Sequence, residues 1–300
     1  MLLLFFSLII ITLCYIGFDE DQLFLYDYVS KSSYAGYKII NASRDMKLMW
    51  TKYYEHYINS NEYHDTDIII KADDDIVYID VSKFHDFLLD LSPDSLTFPN
   101  IVNNDVGLAI QAMRDVDPTL KSIIDIYEHQ GLNVTERMNT FMTDYTLPPC
   151  PLTSVECETA VGGTGLDKSS GALFTNGGFG QLIHQAFLQH PQAFAGPQTQ
   201  TQMEHPRFVK IAQRISINFF ATPIHYFRKV FQVYLDKYCC DDEGYVGRWP
   251  SISGDRHTID MRLVVAHFAF RYQYEDTDMS RSLKQYAAVG ELVSRYYLPE

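Results

Sequence analysis

Three consecutive carboxylates, Asp73, Asp74 and Asp75, stand in the stretch "DTDIIIKADDDIVYID" that spans residues 65–80. Like charges repel, and the repulsion grows as water is removed. The apolar runs "IIIK" and "IVYI" on either side draw the backbone inward, so a cation is expected beside the triplet. The chemistry such a cluster suits best is the holding of a hard divalent cation, Mn2+ or Mg2+, which takes carboxylate and phosphate oxygens. A cation held in this way bridges to a diphosphate and stabilises it as a leaving group. Two other readings compete: a nucleophilic Asp73 with Asp75 as general acid/base, and an acidic turn that is simply solvated.

The elements around the triplet must put it within reach of a ligand. "DIIIK" reads as a buried strand, "IVYIDV" as a short second strand and "SKFHDFLLDL" as a helix, which together make a compact α/β unit. Carboxylates at the end of such a strand lie in the crevice where open α/β sheets bind ligands. Upstream, Met46, Trp50, Tyr53, Tyr54 and Tyr57 fall at helical spacing and predict an amphipathic helix of about five turns over 44–63, its aromatics in the core. "YKII" and "LTFPNIVNN" read as strands and "PTLKSIIDIYEHQG" as a helix. "QLIHQAFLQHP" and "HPRFVKIAQRISINFFA" also read as helices, the second strongly amphipathic, and "GDRHTIDMRLVVAHFAFRYQ" closes with an apolar strand carrying His267. Residues 143–180, rich in Gly, Pro, Ser and Thr without periodicity, have the composition of a long loop of the kind that orders over a ligand. No repeat and no linker divides residues 19–300, so one domain is expected there.

Bulk composition narrows the classes. The chain is 46% apolar over 300 residues, with 21 Tyr and 19 Phe, which is ample material for a core. A net charge of −14 argues against nucleic acid as a partner, whereas a nucleotide held through a cation needs no basic patch. Residues 1–18 are almost purely apolar and long enough to span a bilayer, with neither a basic flank nor a small-residue cleavage site. They are expected to form an uncleaved signal anchor, which would make the chain a single-pass type II protein of the Golgi or ER membrane with residues 19–300 in the lumen. The alternative is a buried first strand of the sheet. Sequons at Asn41 and Asn133 suit a glycoprotein, and Cys150, Cys157, Cys239 and Cys240 suit either two disulfides in one of three connectivities or free buried thiols. Their spacing is not that of a zinc site.

With "IKADDD", the following "IVYID" and the late "VAHFAFRYQ" in view, the chain resembles nucleotide-sugar-dependent glycosyltransferases of the GT-A fold. The acidic stretch is similar to the K-x-D-D-D of their galactosyltransferase and fringe-like groups, and the resemblance covers residues 65–90 best. It implies an α/β, GT-A-like single domain with a mixed, mostly parallel sheet flanked by helices. It implies transfer of a hexose from a nucleoside-diphosphate sugar, a UDP-sugar first, to a hydroxyl of a glycan or glycoprotein acceptor, aided by Mn2+ or Mg2+. The residues it points to are Asp73, Asp75 and His267 for the metal, with His257 the rival of His267, and Lys71, Asp73 and Asp74 for the nucleotide-sugar. Asp255 is the match for the general base, with Asp260 second. "DDDIV" also fits the haloacid-dehalogenase phosphatase pattern, with Asp73 as nucleophile and Gly254, Asp255 and Asp260 of "GDRHTID" as the closing acidic motif. A non-catalytic binding protein on the GT-A fold is the third reading.

Overall fold

The computed structural model describes residues 11–15, 30, 37–41, 49–73, 75–103, 122, 125, 177–194, 208–211, 215, 217–237, 246, 249–268 and 280–297. The apolar runs flanking the triplet form strands β3 (Ile68–Ala72) and β4 (Ile76–Ile79), and helix α2 (Val81–Leu89) follows them. The Asp80 side chain caps that helix by accepting from the Ser82 amide at 3.1 Å. Strands β5 (Thr97–Val102), β6 (Phe208–Ile211), β7 (Phe219–Pro223) and β8 (His257–His267) complete a six-stranded sheet of order β3-β7-β5-β8-β4, with β6 also paired to β8. Two further strands, β1 (Ile11–Tyr15) and β2 (Tyr37–Asn41), pair in parallel as a separate small sheet.

The sheet is mixed and flanked by helices, as expected, but it is mainly antiparallel. Only β5 and β8 run in parallel within it, which corrects the expected direction. Strands β5 and β8 are buried on both faces, a pattern usual for parallel strands. Here it arises because helices cover both faces of an antiparallel sheet.

On one face Tyr54 of α1 (Met49–Asn59) packs with Phe227, Val230, Phe231 and Tyr234 of α5 (Ile224–Lys237) over Phe98, Phe220 and Ile259. Phe231 centres this layer, its ring 4.2 Å from both Tyr54 and Phe227. On the other face Phe87 of α2 packs with Ile101, Phe219, Ala221, Leu263 and Val265. Helices α3 (Gly177–Gln189), α4 (Pro191–Phe194) and α7 (Ser280–Tyr297) gather by β4, where Phe187 meets Tyr78, Phe194 and Tyr286. A short helix, α6 (Trp249–Ser253), precedes β8.

Two other expectations are corrected. Helix α1 ends at Asn59, short of the expected residue 63, and residues 44–48 of the expected helix lie outside the described residues. The amphipathic helix expected over 205–221 is instead strands β6 and β7. The spacing of Phe208, Ile211, Ile215 and Phe219 fits a helical stripe, but residues 208–211 pair with β8 and β7 is inserted between β3 and β5, where Phe219 is buried.

Strand β8 is broken in its middle. Opposite the single step from Pro99 to Asn100 in β5, it advances from Asp260 to Val264. Proline within a central strand is tolerated at such a bulge. The bulge also changes the exposed face: Ile259 and Met261 join one core layer, whereas Leu263 and Val265 join the other. Arg262 folds back at this point, giving Nε to Asp260 Oδ1 at 3.1 Å and a terminal nitrogen to Oδ2 at 2.6 Å. The same guanidinium reaches Asp90 at 3.1 Å, so the bulge is tied to the end of α2.

The edge strands β3 and β4 close on each other. They occupy the two ends of the strand order, about 19 Å apart if the sheet were flat at 4.8 Å per strand. Only Asp73, Asp74 and Asp75 join them, and four residue steps reach at most about 14 Å. The sheet therefore curls, and its upper edge forms a trough.

Ile11–Tyr15 of the apolar opening lie in β1, while residues 1–10 and 16–29 lie outside the described residues. Among the described residues no helix is long and apolar enough to cross a membrane. Asp74, most of the expected helix over 118–131, the loop before Gly177, Asn133, Cys150, Cys157, Cys239 and Cys240 also lie outside them.

Candidate functional site

Five strand ends meet at the trough. Asp73 follows β3, Asp75 precedes β4, Asn103 follows β5, Asn218 precedes β7 and His267 ends β8. Asn103 takes the left-handed backbone conformation, φ 59°, which asparagine tolerates better than most residues.

Asp73 is held from two sides. Lys71 forms an ion pair with Oδ1, and Asn218 Nδ2 donates to Oδ2 at 3.1 Å. The Asp73 amide donates to the Asn218 carbonyl at 2.9 Å, and Lys71 Nζ also donates to the Ile217 carbonyl at 2.8 Å. Burial nevertheless raises the Asp73 carboxyl above its ordinary range; the lowering pull of Lys71 and Asn218 does not offset it, and Asp75 adds to the rise. Lys71 supplies one of the positive charges that the triplet calls for, and the site still favours more.

Asp75 pairs with His267, Oδ2 lying 3.0 Å from Nε2. Its backbone carbonyl accepts from the Phe268 amide at 2.9 Å, so main chain and side chain both tie Asp75 to the end of β8. Its other oxygen, Oδ1, is buried and accepts no hydrogen bond from the described residues. In this contact the imidazole donates its Nε2–H and the carboxylate oxygen accepts. A metal ion takes over such a carboxylate–imidazole pair by displacing that proton. The buried Oδ1 suits a hard cation such as Mn2+ or Mg2+, which takes carboxylate oxygen, and the imidazole adds a nitrogen donor beside it. Among the described residues no group of three or more His, Cys, Asp or Glu side chains surrounds one point. Among the described residues Asp75 and His267 stand together as a pair, while Asp73 is engaged by Lys71 and Asn218.

The structure does not bring Asp255 to this trough. Matched against β5, the span from Thr258 to Ala266 in β8 equals five residues, about 17 Å at 3.3 Å each. Asp255 lies beyond Thr258, and His267 lies beyond Ala266 at the opposite end. Asp255 Oδ2 accepts from Lys229 Nζ at 2.8 Å, the Tyr226 hydroxyl at 3.0 Å and Trp249 Nε1 at 3.3 Å. Burial raises its pKa, but the three donors together outweigh burial and hold it below its usual value. A carboxylate so occupied clasps α5 and α6 to the lower end of β8 and is a poor base. Asp260, the second choice, is fully buried in the Arg262 pair. His257 is also fully buried at the lower end, its ring edge-on to Phe98.

Asn103 and Asn218 were not signalled by the sequence. Asn218 meets Asp73 across 145 positions of chain, and no local pattern marks such a partner. Comparison with protein-family models, with curated proteins and with solved structures finds no match for the chain.

Proposed function

We propose that the chain is a metal-dependent glycosyltransferase that moves a sugar from a nucleoside-diphosphate donor to a hydroxyl acceptor, with the trough at the upper sheet edge as its donor site. The observation that carries the reading is the Asp75–His267 pair with its buried, unfilled Oδ1. Asp75 and His267 hold Mn2+ or Mg2+ in this proposal, and the bound cation supplies charge stabilisation to the departing diphosphate. Asp73 is oriented by Lys71 and Asn218 and faces the donor's polar groups, ribose hydroxyls among them. Lys71 offsets Asp73 and adds positive charge near the phosphates. The acceptor's general base is left unassigned, because Asp255 stands at the other end of β8.

The phosphatase reading needs its closing acidic motif beside Asp73. Asp260 instead lies in the lower half of β8, with Gly254 and Asp255 just before the start of that strand, which favours the transferase.

Calorimetric titration of the full chain with UDP and GDP, with and without Mn2+, tests the proposal. Binding of one nucleotide only when Mn2+ is present, weakened at least about tenfold in Asp75→Ala, supports it. A folded wild-type chain that binds neither nucleotide overturns it. Beryllofluoride trapped on Asp73 would move the assignment to the phosphatase.

A further inference from the structure

The backbone that carries His267 is gripped by side chains from two other elements. Asn103 Nδ2 donates to the Phe268 carbonyl at 3.1 Å and reaches the His267 carbonyl at 3.4 Å. His184 of α3 donates from Nε2 to the same Phe268 carbonyl. A carbonyl can only accept, so Nε2 carries the proton and Nδ1 accepts, here from the Tyr286 hydroxyl of α7 at 2.8 Å. Burial holds His184 down to about 4, against the opposing Phe268 bond, and His267 adds to the lowering. Burial also raises the Tyr286 hydroxyl, so that it stays a donor. The chain of donors therefore runs one way, from Tyr286 through His184 to Phe268, whose own amide donates to Asp75.

His184 is fully buried beside the Phe268 and Tyr286 rings, 5.7 Å and 5.4 Å away between centroids. An apolar ring would pack there at no desolvation cost, so the polar choice calls for a task. Such a task follows from the geometry: the Phe268 carbonyl and the Phe268 amide lie on either side of one Cα, so holding the carbonyl restrains the residue whose amide bonds the Asp75 carbonyl and whose preceding neighbour carries the imidazole.

We infer that His184, oriented by Tyr286, is a positioning residue for the Asp75–His267 pair and acts on it through the Phe268 carbonyl. The inference rests on the reading of that pair as the metal-holding centre. Outer partners that fix a ligand's orientation typically change metal affinity by 10- to 100-fold when removed. Glutamine can donate to Phe268 and accept from Tyr286 as the imidazole does, whereas phenylalanine can do neither.

The experiment titrates the full chain with Mn2+ alone, followed by water-proton relaxation, and records the ring nitrogen shifts of His267 in the metal-free protein. His184→Phe should weaken Mn2+ binding about tenfold and move the His267 shifts, while His184→Gln returns both to near wild type. Tyr286→Phe, a smaller change, should move them in the direction of His184→Phe and guards against a variant that does not fold. Unchanged His267 shifts in folded His184→Phe, or equal effects of Phe and Gln, overturn the inference. A wild-type chain that takes up no Mn2+ overturns the metal reading instead, and the nitrogen shifts still decide whether His184 positions the pair.

Discussion

Protonation of His184 works against the fold. Its pKa is held at about 4 by burial, against 6.5 for the free side chain, so below pH 6.5 the unfolded chain binds the proton more readily than the folded one. The stabilisation is complete above pH 6.5 and is lost as the pH falls towards 4, to a total of about 3 kcal/mol. Chemical denaturation at pH 7 and pH 4 should show this loss, and His184→Gln should shrink the difference between the two. A second prediction separates the trough from the lower clasp: Asp255→Asn should leave Mn2+ and nucleotide affinities within about twofold of wild type while lowering Tm. A loss of affinity as large as that of Asp75→Ala would return Asp255 to the donor site. At this scale the sequence was informative only about neighbours. Lys71, expected at the nucleotide-sugar, was not foreseen as the partner of Asp73, whereas the triplet and the late apolar strand that carries His267 could be read from local composition. His184 and Tyr286, 102 positions apart, could not, because a buried histidine within "QLIHQAFLQ" fits plain core packing equally well.

Among the elements, β8 has the most work to do, since it pairs with β5, β6 and β4 and must change face midway. The bulge that turns it depends on a carboxylate with no solvent exposure, Asp260, compensated by Arg262. Removing one partner strands a buried charge, so Arg262→Ala should cost about 3–5 kcal/mol in urea denaturation. Adding Asp260→Asn should recover part of that loss; equal destabilisation in the single and double variants would argue against the pairing as the cause. The strand–acidic turn–strand–helix unit and β5 were legible, because each is a short apolar run bounded by polar or turn residues. Strands β6 and β7 were not, since residues 205–221 satisfy a helical period as well as a strand's, and only partners distant in sequence decide between them. The face change of β8 was equally hidden: "HTIDMRLVVAH" carries no glycine to mark it, and Pro99 sits on the neighbouring strand.

At the scale of the molecule, the apolar opening has two uses in competition. As a strand, Ile11–Tyr15 pairs with Tyr37–Asn41; as an anchor, residues 1–18 would be withdrawn into a bilayer. A fragment of residues 19–300 lacks β1, and its Tm should fall below that of the full chain if the strand is the working form. Equal Tm values with loss of membrane partitioning would favour the anchor and the luminal placement that goes with it. The curl of the main sheet has a separate consequence, in the way the protein opens. Edge strands ordinarily fray one at a time, each exchanging its amide protons in its own local fluctuation. Strands β3 and β4 share a tether too short for a flat sheet, so lifting either edge drags on the other. Hydrogen exchange along both should then follow a single opening event, whose cost approaches that of unfolding the sheet. The acidic turn would act as a drawstring, with Asp73 and Asp75 at the knot.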